Sequence, residues 1–183
     1  MNINIGSGYK KYKDYINLDA DFNCNPDILF DLENDIFPFE DSSIDKVIAH
    51  HILEHIGDGY FHVLKELYRI CKHGAIIDIR APHHNHEVFH NDPTHKRPIT
   101  VEGMRLFSKK YNKYEIDRGG SSSTLGIIYN IDFEIVAFDY VYDSFYNEIF
   151  KTNTQTQNIR LCREFINTTL ETHIIITPIK DVI

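Results

Sequence analysis

Cysteine is scarce in this chain of 183 residues, and its three copies, Cys24, Cys71 and Cys162, are odd in number and far apart. That argues against a disulfide framework and a thiolate zinc site, and it fits a reducing cytoplasm. No apolar stretch approaches the length of a bilayer-spanning helix, and the opening Met1 Asn2 Ile3 Asn4 Ile5 has no basic leader followed by a long apolar run. A soluble protein with no export signal and no membrane partner is expected. Basic charge is short as well: 19 Lys and Arg stand against 27 Asp and Glu, a formal net charge of -8. Tight nonspecific binding to DNA or RNA depends on neutralising phosphates with cations, so nucleic acid is disfavoured as a partner. There is no internal repeat.

What the chain does have is a series of short apolar runs at 3–5, 15–18, 27–30, 46–49 and 75–79, each closed by a polar or glycine-containing loop. Near-continuous apolar runs mark strands covered on both faces. Between the fourth and fifth, Phe61, Leu64, Leu67, Tyr68 and Cys71 recur at helical spacing over 60–71, with Gly74 as the expected stop. A second helix is predicted from the cap Thr100, with Glu102 in its first turn and Met104, Leu106 and Phe107 as its apolar residues. Residues 118–123 read as a polar break. Beyond it, 133–141 and 173–178 are β-prone and predict an antiparallel pair at one sheet edge. Residues 161–170 read as helix and 151–158 as a solvated loop.

The first run leads directly into Gly6 Ser7 Gly8, and the second ends on Asp19. Glycines at a strand end let a ligand approach the backbone, and a carboxylate one strand over can take ribose hydroxyls. On its own this pattern is equally a tight strand-ending turn. Further along stand Phe37 Pro38 Phe39 Glu40 Asp41 Ser42 Ser43 Ile44 Asp45, then His51 Ile52 Leu53 Glu54 His55, then Cys71 Lys72 His73 Gly74 before strand five.

With those strings in that order, the chain resembles the class I S-adenosylmethionine-dependent methyltransferases, in particular those with an HxLEH signature after the fourth strand. The resemblance implies an α/β, Rossmann-like sheet, mostly parallel with an antiparallel edge strand and helices on both faces. It implies a single domain over 1–183, with a cofactor-binding core at 1–80, an acceptor-site loop and helix at 81–118 and edge strands at 119–183. It implies S-adenosyl-L-methionine as cofactor, with Gly6 and Gly8 admitting its methionine part, the backbone from Asn4 to Ser7 lining it and Asp19 accepting both ribose hydroxyls. Asp31 and Leu32 would hold the adenine edge, and His50 and His51 would close the pocket near the sulfonium. Two departures stand out. Residues 9–14 are too few for the usual crossover helix, so the first helix must shrink to a turn. Asn4 replaces the acid often found before the first glycine, and with no N-terminal helix to act as lid, a homo-oligomer could supply the cover.

After strand five comes a histidine-rich loop, His83 His84 Asn85 His86 followed by His90, Asn91 Asp92 Pro93 Thr94 His95 Lys96 Arg97. Loops at the carboxyl ends of strands face the ligand crevice, so the acceptor site is expected here. Asp92 and His95 would serve as orienting acid and general base, with His51 as a further catalytic residue. His83, Lys96 and Arg97 would bind an anionic part of the acceptor. A second reading takes His83, His86, His90, Asp92 and His95 as metal ligands, and a plain one has these imidazoles only bonding the backbone of the loop. Glu54 and His55 read as structural, closing the turn and the start of a helix. The aromatics Phe138, Tyr140, Tyr142, Phe145 and Tyr146 read as core or dimer surface, and Cys71 as buried.

The leading function is in-line methyl transfer to a small, polar or anionic acceptor, a sugar or other metabolite, at oxygen or nitrogen. A noncatalytic nucleoside-binding subunit or sensor is the alternative; a nucleic-acid methyltransferase and a dinucleotide reductase rank lower, the latter because the third glycine and a full following helix are absent.

Overall fold

A computed structural model of the protein describes residues 1–180. The five predicted runs form β1 (Asn2–Ile5), β2 (Ile16–Asp19), β3 (Ile28–Leu29), β4 (Ile44–His50) and β5 (Cys71–Pro82), and the late pair forms β6 (Phe133–Tyr142) and β7 (Thr169–Pro178). All seven join one sheet in the order β3-β2-β1-β4-β5-β7-β6. The first five strands are parallel, while β7 runs antiparallel to both β5 and β6. Among the described residues the helices are α1 (Tyr60–Ile70), α2 (Glu87–Asn91), α3 (Val101–Arg105), α4 (Lys109–Asp117), α5 (Leu125–Ile128), α6 (Asn147–Thr152) and α7 (Gln155–Glu164). None is long and apolar enough to cross a membrane.

Strand alternation sorts the sheet into two faces. Ile3, Ile5, Val47, Ala49, Ile77, Ile79, Ile174 and Ile176 are at most 1% exposed and share one core cluster with Val63, Leu64 and Leu67 of α1. Each of these isoleucine, valine and leucine side chains contributes about 1.5–3 kcal/mol by leaving water. The alternate positions carry His50, Asp78, Arg80 and His173, all half-buried. The connections before β4 contain no α-helix among the described residues, only turns and a 3-10 turn at Phe22–Cys24.

The shortened first crossover is held by two asparagines paired across β1 and β2. Asn4 Nδ2 donates to Lys10 O and to Asn17 Oδ1, while Asn17 Nδ2 donates to Tyr12 O, Tyr15 O and Asp27 Oδ2. These bonds give residues 9–14 the polar partners that an α-helix would have supplied internally.

Three expectations need correction. Gly74 does not stop the helix: α1 ends at Ile70, its terminus closed by Cys71 N–H donating to Leu67 O, and the strand begins at once. Gly74, at φ 75, instead lies between Cys71 and Ile76, where the β4–β5 register shifts. Residues 151–158 are not a loop, because α6 and α7 cover most of them and Thr154 forms a reciprocal cap with Gln157. The helix expected at 161–170 stops at Glu164, and Thr169 already pairs in β7.

Candidate active site

The strand order reverses between β1 and β4, which opens a crevice beyond their carboxyl ends. The glycine turn sits there, docked on β2 by Ser7 N–H donating to Leu18 O at 3.0 Å. Gly6, at φ 60, has no space for a side chain, since a Cβ would meet the Ile52 side chain at 2.3 Å. Gly8, at φ 49, faces open space. Its N–H donates to Asp19 Oδ2 at 2.7 Å, and Asp21 N–H donates to Asp19 Oδ1 at 2.9 Å. Asp19 is thereby aimed beside the open glycine, and no salt bridge neutralises it among the described residues. An oriented carboxylate with spare lone pairs next to uncovered backbone suits the vicinal hydroxyls of a ribose, so the residues present fit the nucleoside end of the expected cofactor.

The other predicted cofactor contacts divide between backbone and side chain. Asn4 is buried and its amide is spent on the crossover, so that side chain is not available to a ligand. Asp31 accepts from Glu33 N–H and Asn34 Nδ2, bonds that lower its pKa and pin the turn after β3. Leu32 is 6% exposed and belongs to the core cluster.

Beyond β4 the histidines are tied to carboxylates. His50 Nε2 and His173 Nε2 both meet Asp78 Oδ1, at 3.0 and 2.9 Å. His51, in the left-handed region at φ 54, bonds Glu171 Oε2 through Nε2 at 2.8 Å and turns Nδ1 toward Glu54 Oε1 at 3.6 Å. Glu54, then Glu171, holds the His51 imidazole above its usual pKa against the opposing effect of burial.

The histidine-rich loop is built differently from the expected acid–base pair. His95 Nδ1 bonds Phe89 O at 2.7 Å, and its Nε2 lies 3.9 Å from Asp92 Oδ2, too far for a hydrogen bond. Asp92 instead accepts from the Thr94 N–H and hydroxyl. Arg97 is not free to meet an anion: it donates to Ile56 O and Gly57 O and lies over the Tyr60 ring at 4.3 Å. Lys96 is exposed. Nor does the loop assemble its five proposed metal ligands. His86 caps α2 through Val88 N–H and reaches Asp143, His90 bonds His84 O, and His83 Nδ1 accepts from Asn85 N–H.

His83 and His84 do line a cavity of about 370 Å³ with Tyr140, Tyr142, Cys162, Arg163 and Thr169. Burial, then His84 and His86, pushes the His83 imidazole down to about 4, so it is neutral near pH 7. Of the aromatics read as core or dimer surface, Tyr140 packs on the core and borders this cavity, while Phe138 and Phe145 are exposed. Sequence reasoning missed Asp78, Glu171 and Arg163. Asp78 had a signal, a charge inside the run Ile76 Ile77 Asp78 Ile79; the other two had none. Cys71 is buried as expected, and burial raises its thiol to about 12.

In sequence, residues 14–79 match the methyltransferase-domain family model, a span that includes Asp19 and the His51–His55 turn but begins after the glycine turn. A search of curated proteins gives no match. In fold, the chain is similar to a SAM-dependent methyltransferase from Archaeoglobus fulgidus at 17% identity, covering 96% of this chain and 85% of that one with a TM-score of 0.64. The [4+2]-cyclase SpnF aligns at 12% identity over 98% of this chain and 75% of its own, TM-score 0.56. Phosphoethanolamine N-methyltransferase 2 of Haemonchus contortus, in complex with S-adenosyl-L-methionine, aligns at 12% identity over 98% of this chain and 48% of its own, TM-score 0.51. The sheet order is thus common to proteins of more than one chemistry: the chain shares the fold of S-adenosylmethionine-dependent methyltransferases, and over residues 14–79 it is also similar in sequence to the methyltransferase-domain family.

Proposed function

We propose that the protein methylates a small, anionic acceptor held in the cavity between His83 and Arg163. The observation that carries this reading is the placement of that cavity. It follows β5 and borders the start of β7, at the same end of the strands as Asp19 and Gly8.

The cofactor, when bound, supplies an electrophilic methyl group on a sulfonium. Asp19 would hold the ribose hydroxyls, the 4–8 backbone would line the methionine part, and His50 and His51 would border the end from which the methyl leaves. Arg163 offers the acceptor's anionic group a cation, and the Tyr140 and Tyr142 rings give its body an apolar wall. Because His83 Nδ1 accepts the Asn85 N–H, its neutral ring carries the proton on Nε2 and serves as a donor rather than as a base. In-line displacement requires alignment and exclusion of water first, and this chain's contribution is to hold both partners at one end of a rigid sheet.

Calorimetry with S-adenosylmethionine and S-adenosylhomocysteine, with NADH as control, tests the cofactor site. Binding of the first two that is lost in Asp19→Ala supports it, and unchanged affinity in that variant would sink the assignment. A screen of phosphate- and carboxylate-bearing metabolites for S-adenosylhomocysteine release then tests the acceptor site. Arg163→Gln should raise the acceptor KM and leave cofactor affinity alone; an unchanged KM would remove Arg163 and its cavity from the reading.

A further inference from the structure

The Glu54 side chain is completely buried, and neither carboxylate oxygen has a hydrogen-bond partner. A carboxylate in that position is costly unless a cation or a proton neutralises it. Arg97, which joins the same turn, is committed to Ile56 O, Gly57 O and the Tyr60 ring. His51 Nδ1, at 3.6 Å, is beyond hydrogen-bond length, and that ring is bound on its other side to Glu171.

Two imidazoles complete the surroundings. A carboxylate oxygen of Glu54 and a ring nitrogen from each of His55 and His95 lie within 4.8 Å of one another, and the two rings pack edge to face with centroids 4.6 Å apart. The outer nitrogens are held. His95 Nδ1–H donates to Phe89 O at 2.7 Å. The Thr94 hydroxyl donates to Asp92 Oδ1 at 2.6 Å, so it accepts from His55 Nδ1–H at 2.8 Å. Both rings are therefore set in the tautomer that leaves a lone pair on Nε2. Lys96 N–H and Arg97 N–H both donate to Glu54 O, fastening the 92–97 segment to the turn after β4 and bringing ligands from two stretches of chain together.

We propose that Glu54, His55 and His95 bind one divalent transition-metal ion of the zinc class. One carboxylate and two neutral imidazoles are a donor set for such an ion, whose bonds of about 2.0–2.2 Å need only a small inward shift of these side chains. Phe89 O and the Thr94–Asp92 pair are the outer partners that fix each ring, as metal-bound histidines require. Three protein ligands leave a coordination position open beside the end of β4. The site stands apart from the acceptor cavity and does not depend on that reading.

The test uses untagged full-length protein: elemental analysis as purified, then titration of chelator-treated protein with Zn(II) and Co(II), the latter read by its visible absorption. One equivalent per chain is expected, with Co(II) bands of a low-coordinate nitrogen and oxygen site. Glu54→Gln and His55→Ala should abolish stoichiometric binding, whereas His90→Ala should keep it. Should either ligand variant fail to fold by circular dichroism, Thr94→Val, which alters only an exposed outer partner, is expected to weaken Co(II) binding roughly 10–100-fold. Absence of stoichiometric binding by the wild type, or full binding by folded Glu54→Gln and Thr94→Val, would overturn the site and leave His51 as the counter-charge of Glu54.

Discussion

Asn4 and Asn17 face each other across β1 and β2, the Asn4 amide donating to Asn17 Oδ1 at 3.0 Å. Together they hold the crossover that replaces the first helix. Restoring the acid that often stands at this position, as Asn4→Asp, removes the donor to Lys10 O and to Asn17 and sets two acceptors face to face. We expect a loss of about 1–3 kcal/mol in denaturant melts and no gain in affinity for S-adenosylmethionine. A variant as stable as wild type would show that the crossover does not rely on this pair.

The two glycines of the first turn should respond unequally. Gly8→Ala places a side chain in open space and costs only its left-handed backbone, about 1–2 kcal/mol. Gly6→Ala adds an overlap with Ile52, about a further 1–3 kcal/mol. Adding Ile52→Ala to Gly6→Ala should make the combined loss smaller than the sum of the two single losses, measured as a double-mutant cycle. Equal costs for the two glycines would contradict the packing described.

Arg97→Lys keeps the charge but cannot reproduce the paired bonds to Ile56 O and Gly57 O or the flat contact with Tyr60. The expected result is a loss of about 1–3 kcal/mol in stability with acceptor KM unchanged. A raised KM at unchanged stability would return Arg97 to the acceptor site.

His83 makes stability fall on acidification. Its folded pKa is pushed down to about 4 from about 6.5 in the unfolded chain, so between those values the unfolded state takes up a proton that the folded state refuses. The loss starts as pH drops through the upper value and is complete below the lower one. Denaturation midpoints at pH 7 and pH 4.5 should therefore lie closer together in His83→Asn than in wild type, and equal separations would remove His83 as a source of acid sensitivity.

The parts of the fold that could be read in the sequence are those where burial leaves a period or a length. The runs ending at Ile5, Leu18 and Ala49 are apolar because they build the sheet, and the helix before Cys71 shows its buried stripe. The span from Tyr9 to Asp14 was short enough to exclude a helix by length alone. By contrast α6 and α7 bury no residue, so no apolar stripe marks them. Only the local cue Thr154 with Gln157 was there to be read. Asp19 lay where its strand ended, whereas Arg97 and His95 took backbone carbonyls as partners, which no spacing records. Glu54 reads as an ordinary turn residue because being buried without a partner is a property of the folded chain.

The placement of β7 between β5 and β6 has a consequence for synthesis on the ribosome. Through residue 168 the nascent chain can build a core of five parallel strands, but β6 has no sheet neighbour except β7. Until Thr169–Pro178 emerges, the outer edge of β5 and all of β6 carry unpaired backbone. Completion of the sheet, the Thr169 wall of the cavity beside His83 and the Glu171 and His173 contacts at the end of β4 and β5 then arrive in one late event, so a chain stalled before this strand holds the glycine turn and Asp19 and lacks these.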